Sequence, residues 1–223
     1  MDKPILFAGP SLFGLNLEPN IVESIDIRPP AKRGSIEELF SSRNKKPRVI
    51  IIADGVFRSE PAVGHREILR AIQTGCQIWG VSSMGAIRAY ELRFYGMLGF
   101  GVVYNDFLKY SDFTDDEVAL LHSPLPPYKP FSEALVDIRH FFEDDPLTGI
   151  LHPKAIPEII QKLRSMYFGA RTLAVFQDLL TSIGQLKASD AVPFIERSSN
   201  RRIKSKDLIS ILRLKPWTQA QLS

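Results

Sequence analysis

In the first half of the chain, short unbroken apolar runs alternate with segments whose apolar residues recur at helical spacing. "PILFA" is stopped by Gly9, Pro10 and Ser11, which predicts a strand entering a loop. "VESIDIRPP" predicts a second strand ended by Pro29 and Pro30, and "GSIEELFSS" a short helix with Ile36, Leu39 and Phe40 on one face. The clearest strand is "PRVIIIADGVF", whose β-branched run has no polar break, as when both faces of a parallel sheet are covered. "EPAVGHREILRAIQTG" predicts a helix with Ser59 as N-cap, Pro61 in the first turn and Gly75 at the end. "CQIWGVSS" predicts the next strand and "MGAIRAYEL" the next helix. Alternation at this spacing predicts parallel strands joined by crossovers, an α/β fold with a doubly wound type of sheet.

Beyond Leu92 the pattern changes. "GMLGFGVVYNDF" carries Gly96, Gly99 and Gly101, but their offsets are not those of a dinucleotide-binding loop, and no strand and helix are predicted around them. "DDEVALLHSP" predicts a strand ending at His122 in preference to one helical turn capped by Asp115. From Phe131 onward the spacing is helical in "SEALVDIRHFFEDD", "PEIIQKLRSMYF" and "RTLAVFQDLLTSIG". Arg197, Arg201, Arg202, Lys204 and Lys206 precede "DLISILRLK" and read as a solvated basic connector before a final helix. The domain expectation is an α/β core over 1–130 and a helical C-terminal region over 131–223 packed on it, with the connector near 197–206.

Composition narrows the class without naming a function. At 223 residues, 44% hydrophobic and 24% charged, the chain is long enough to bury a large core. A formal charge of only +3 gives no reason to expect nucleic acid, despite a pI near 9.0. The N-terminus lacks the pattern of a signal peptide, and no apolar run approaches the roughly 18 residues of a membrane span. One cysteine excludes an internal disulfide and fits a reducing compartment. A soluble cytoplasmic protein is expected, with no membrane partner.

Candidate chemistry collects where the predicted strands end, because open parallel sheets bind ligands beyond the carboxyl ends of their strands. That edge receives Gly9-Pro10-Ser11, Asp54-Gly55 and Ser83, and His122 if "EVALL" is extended. His65 opens the helix that follows Asp54. A serine on a strand-to-helix turn exposes its Oγ beside the free N–H groups and positive end of the new helix. "GVSSMG" half-matches G-x-S-x-G in two frames: Gly85 supports Ser83, and Gly80 supports Ser82. Nucleophilic chemistry, anion binding and a simple N-cap all remain open for this turn.

Other candidates have plain structural readings. His65 shares a helix face with Ile68, Leu69 and Ile72, which suits a packed histidine. Arg88 and Glu91 are spaced for an ordinary helix ion pair. Cys76 begins a buried strand, where an inert thiol is expected. The four histidines and one cysteine show no metal-ligand spacing, so no metal is expected.

Taken together and in order, "FAGPSL", "RPPAKRGSI", "DGVF…PAVGHREIL", "SSMGAIRAYEL…GMLGFG" and "DDEVALLHSP" resemble the TfuA protein family. The resemblance runs from about Leu6 to about Arg139, and "SMGA" is its most specific block. It implies a partnership with YcaO enzymes, which use ATP to activate a backbone amide oxygen that a sulfur nucleophile then replaces. The products are thioamides in ribosomal peptides of the trifolitoxin type, or in methyl-coenzyme M reductase of methanogens. The family's motif positions carry over to Asp54, Gly55, His65, Glu67, Ser83, Met84, Gly85, Arg88, Glu91, Asp116, Glu117 and His122.

Residues and resemblance together suggest release of hydrosulfide by hydrolysis of a thiocarboxylated ThiS-type sulfur carrier. Ser83 is then the nucleophile, and His122 or His65 the base. Asp54, Gly55, Met84, Gly85, Arg88, Glu91 and Glu67 contribute to substrate binding, and this chain itself needs no cofactor. The partners are a YcaO-type thioamide synthetase and the carrier, with the peptide or protein substrate engaged only indirectly. The competing expectation is a non-catalytic adaptor or allosteric activator of YcaO. A generic serine esterase fits the turn but not the wider resemblance.

Overall fold

The computed structural model describes residues 3–41, 46–57, 60–145, 149–152 and 154–221. The chain divides into two compact units, one of residues 1–113 with 204–223 and the other of residues 114–203.

The first unit is built on five parallel strands in the order β2-β1-β3-β4-β5. They are β1 (Ile5–Phe7), β2 (Asp26–Arg28), β3 (Val49–Ile52), β4 (Gln77–Gly80) and β5 (Leu98–Gly99). Helices α1 (Pro19–Ser24), α2 (Ser35–Ser41), α3 (His65–Gln73) and α4 (Met84–Leu92) provide the four crossovers, and α5 (Val102–Lys109) follows β5. The expected α/β fold with a doubly wound sheet is present. Strand order reverses between β1 and β3, and such a switch point opens a crevice at the carboxyl edge.

The buried run of β3 explains its central place. Leu6, Ala8, Val49, Ile51 and Ala53 lie on one face by the two-residue period of strands. They pack with Leu208, Ile211 and Leu212 of the last helix, α11 (Ile203–Leu214), which returns to this sheet. Each of those three side chains is fully buried, at about 1.5–3 kcal/mol apiece by area.

The second unit begins with α6 (Asp115–Val118) and continues through α7 (Leu135–Asp144), α8 (Ala155–Ser165), α9 (Leu173–Ser182) and α10 (Ala188–Asn200). Its core holds Phe141, Phe142, Phe176 and Phe194. Three of the ring pairs meet edge to face, Phe141 with Phe194 at 4.8 Å, Phe142 with Phe176 at 5.7 Å and Phe176 with Phe194 at 6.4 Å.

Several local expectations are corrected. "DEV" forms a helical turn rather than a strand: Thr114 takes the N-cap position, and three acidic residues favour the positive helix end. Within "GMLGFG", Gly99 ends β5 and Gly101, at φ +98°, is the N-cap of α5, so a strand and a helix do flank the end of this run. Helix α3 starts at His65 with Gly64 as N-cap, so Pro61 precedes it, and Ser59 lies outside the described residues.

The basic segment near 197–206 is not a solvated connector. Arg197 and Arg201 pair with Asp145, Arg202 makes a bidentate buried pair with Glu133, and Lys204 is itself buried. Charge in the sequence showed the cations but not the carboxylates waiting for them.

Candidate functional site

The first cluster is held by Asp54, the second residue after β3. Its Oδ2 accepts from the N–H groups of Gly9 and Ser11 at 2.8 and 2.9 Å, and its Oδ1 accepts from Ser11 Oγ at 2.7 Å. The carboxylate is buried and thus fixes the loop after β1 against the end of β3. These ionic hydrogen bonds stiffen the switch point.

The second cluster is the turn from β4 into α4. Ser82 takes φ +65°, a strained position for a residue other than glycine, and is fully buried. Its hydroxyl donates to the carbonyl of Lys204 at 2.8 Å. Ser83 occupies the N-cap position but makes no side-chain capping bond, and only 4% of its surface is exposed. Its N–H donates to Ala53 O at 3.1 Å and Val81 O at 2.8 Å. In the Ser82 frame, then, both the hydroxyl and the following amide are engaged in holding the turn.

The glycines here answer to close approach. A Cβ on Gly85 would stand 1.6 Å from Ile52 O, and one on Gly80 would stand 2.0 Å from Gly85 O. Gly55 lies under Met84, with room for no Cβ between them. The start of α4 is therefore pressed onto the ends of β3 and β4. Asp54, Gly55, Ser83, Met84 and Gly85 come together at the carboxyl edge.

A third cluster lies farther along α4. His65 Nε2 is 2.7 Å from Glu91 Oε2, and Arg88 Nη1 donates to the same oxygen at 2.6 Å. Arg88 Nε donates to Val63 O at 2.9 Å and anchors the network to the approach of α3. His65 is half exposed, not packed in the core as its helix face suggested, because it is the first residue of the helix. Glu91 is 26 positions from His65, so no local spacing could reveal this pair. Eight residues at a rise of about 1.5 Å put Glu91 about 12 Å along α4 from Ser83.

Glu67 has a structural task. Its carboxylate accepts from the N–H groups of Gly64, Gly34 and Ile36 at 2.7, 3.1 and 3.0 Å, reaching back to the N-cap amide of α3 and joining that helix to α2.

His122 belongs to the second unit, where Ala119 leaves α6 in extended conformation. His122 bridges to Pro130, and its Nδ1 is 2.7 Å from Ser123 O. No strand of the parallel sheet delivers it, which corrects its expected place at that sheet's edge. In the same unit Glu117 is bidentate to Arg139, and Asp116 pairs with the fully buried Arg171. Among the described residues no three His, Cys, Asp or Glu side chains gather as a metal site. Burial pushes the Cys76 thiol up to about 12.

A family model described as TfuA-like protein matches residues 54–172. The chain belongs to the TfuA-like family. The match opens at Asp54 and takes in the Ser83 turn and the His65–Arg88–Glu91 network. For the TfuA-like family this supports a role in the YcaO-associated thioamide pathway. No curated protein matches the chain. No helix among the described residues is long and apolar enough to cross a membrane.

Sequence reasoning missed Ser82 as the strained residue, and it missed Lys204, Ser205 and Asp207 at the same edge. The first has a weak signal in Gly80, which supplies the other G-x-S frame. The last three have none, since they return from the far end of the chain.

Proposed function

We propose that this chain serves a YcaO-type enzyme in backbone thioamidation by releasing hydrosulfide from the thiocarboxylated C-terminus of a ThiS-type carrier. Ser83 is the nucleophile. The observation that carries this reading is the Ser83 turn at the carboxyl edge, where the N-terminus of α4 is pressed against β3 through Gly85.

Ser83 Oγ attacks the thiocarboxylate carbonyl carbon and forms an ester bond. The carbon–sulfur bond breaks, and sulfur leaves as hydrosulfide with the serine's proton. Water then hydrolyses the ester, yielding the carrier's carboxylate and restoring the hydroxyl. The positive end of α4 stabilises the oxyanion of each step. Hydrosulfide leaves far more readily than an amine, so no strong general acid is needed. Of the two histidines expected as base, His65 lies in the same unit as Ser83 and has its acid partner in Glu91, and water must carry the proton between that pair and the turn.

The burial of both serines favours a second reading, in which the chain is an adaptor and the turn only shapes a docking surface. A reconstituted thioamidation separates the two. With carrier-bound sulfur the YcaO enzyme depends on this chain; saturating free sulfide removes that dependence if the task is sulfide release. Equal dependence under both conditions assigns the adaptor role.

A further inference from the structure

We infer that the first residues of α11 form a latch that closes the carboxyl edge over Ser82 and Ser83. Three attachments make it, each to a different loop leaving the sheet. Lys204 O accepts from Ser82 Oγ at 2.8 Å, after β4. Ser205 Oγ donates to Ser11 O at 2.9 Å, after β1. Asp207 accepts from the N–H groups of Val102 and Val103, each at 2.9 Å, after β5.

The seat is fitted closely. A Cβ on Gly101 would stand 2.4 Å from Asp207 Cγ, and the φ of +98° there also favours glycine. Asp207 caps α5 from outside its own helix and occupies the amides that an anion would otherwise find. Ser82 and Ser11, which bond to Lys204 and Ser205, are buried, as are their neighbours at this edge, Asp54 and Ser83.

The two parts of α11 are held by different forces. Lys204, Ser205 and Asp207 are attached by hydrogen bonds, whereas Leu208, Ile211 and Leu212 are anchored in the apolar core with Trp217. Lifting the polar start breaks polar contacts and leaves the apolar anchor buried, which is the condition for local opening. A thiocarboxylate must come within about 3–3.5 Å of Ser83 Oγ to react, so the latch must lift for turnover. The latch is a resting-state lock, and its functional meaning rests on the reading of Ser83 as the sulfide-releasing residue.

The test places a thiol at the edge by Ser83→Cys in a Cys76→Ala background and measures its modification by a small methanethiosulfonate. With the latch intact, labelling is far slower than for an exposed thiol. Ser205→Ala removes one hydrogen bond and accelerates labelling roughly two- to tenfold; Asp207→Asn accelerates it further. If Asp207→Asn does not fold, Ser205→Ala decides alone.

Unchanged labelling in a folded latch variant, or rapid labelling with the latch intact, overturns the inference. Sulfide release from a thiocarboxylated carrier, measured in the same latch variants with Ser83 present, separates this from the parent reading. Faster labelling without sulfide keeps the latch and removes the hydrolysis. Sulfide release with unchanged labelling does the reverse.

Discussion

Asp54 and Ser11 lie 43 positions apart and meet at 2.7 Å, carboxylate to hydroxyl, at the point where the strand order of the sheet reverses. The same carboxylate holds the amides of Gly9 and Ser11. Asp54→Ala strands these buried donors and is expected to cost about 2–4 kcal/mol. In a chain this long that lowers the melting temperature by about 5–15 °C. Ser11→Ala removes one of the three bonds and is expected to cost about 1 kcal/mol. Thermal melts of both variants check the difference; equal losses would contradict a role for the two amides.

Gly85→Ala is expected to abolish soluble folding. Its Cβ would meet the backbone oxygen of Ile52, which cannot turn aside as a side-chain end could. Gly149→Ala is the control, because nothing lies near its Cβ position and the change should stay within about 0.5 kcal/mol. Soluble yield and circular dichroism of the two proteins provide the comparison.

The parts of the fold that the sequence reveals are those set by local pattern. The unbroken Val49–Ile52 run and the serine turn into Met84–Leu92 are examples, and the predicted start and end of α4 match the helix. Strand β5 escaped notice because it is two residues long and lies among glycines. "DEVALL" is apolar enough for a strand, yet its acidic start favours a helical turn. At the candidate site, the Arg88–Glu91 pair follows from i,i+3 spacing. His65–Glu91, Asp54–Ser11 and Ser82–Lys204 join distant segments, and periodicity carries no information about them.

Cys76 should resist modification in the folded protein. Burial holds the proton on the thiol, raising it from the ordinary value of 9.0 to about 12. At pH 8 a disulfide reagent is expected to react only after denaturation. Above pH 9 the unfolded chain gives up this proton first, so the group's contribution to stability falls with rising pH through about 12. Fast native-state labelling at pH 8 would contradict the burial.

Glu91→Gln weakens a largely exposed network and is expected to change stability by no more than about 1 kcal/mol. If the pair moves protons, His65→Ala and Glu91→Gln both lower the rate of sulfide release and change its pH profile while the melting temperature stays nearly constant. Unaltered rates and profiles in both would make the network an ordinary surface ion pair.

The most direct measurement is sulfide release from a thiocarboxylated carrier, without YcaO, by the unaltered protein and by Ser83→Ala and Ser82→Ala. Ser83→Ala deletes one hydroxyl at a helix N-terminus, a change that typically costs about 1 kcal/mol, so the fold should persist. Ser82→Ala loses its bond to Lys204 and tests the latch without touching the nucleophile. The account predicts release by the unaltered protein and by Ser82→Ala, and a fall of orders of magnitude in folded Ser83→Ala. Release at the unaltered rate by folded Ser83→Ala would contradict it.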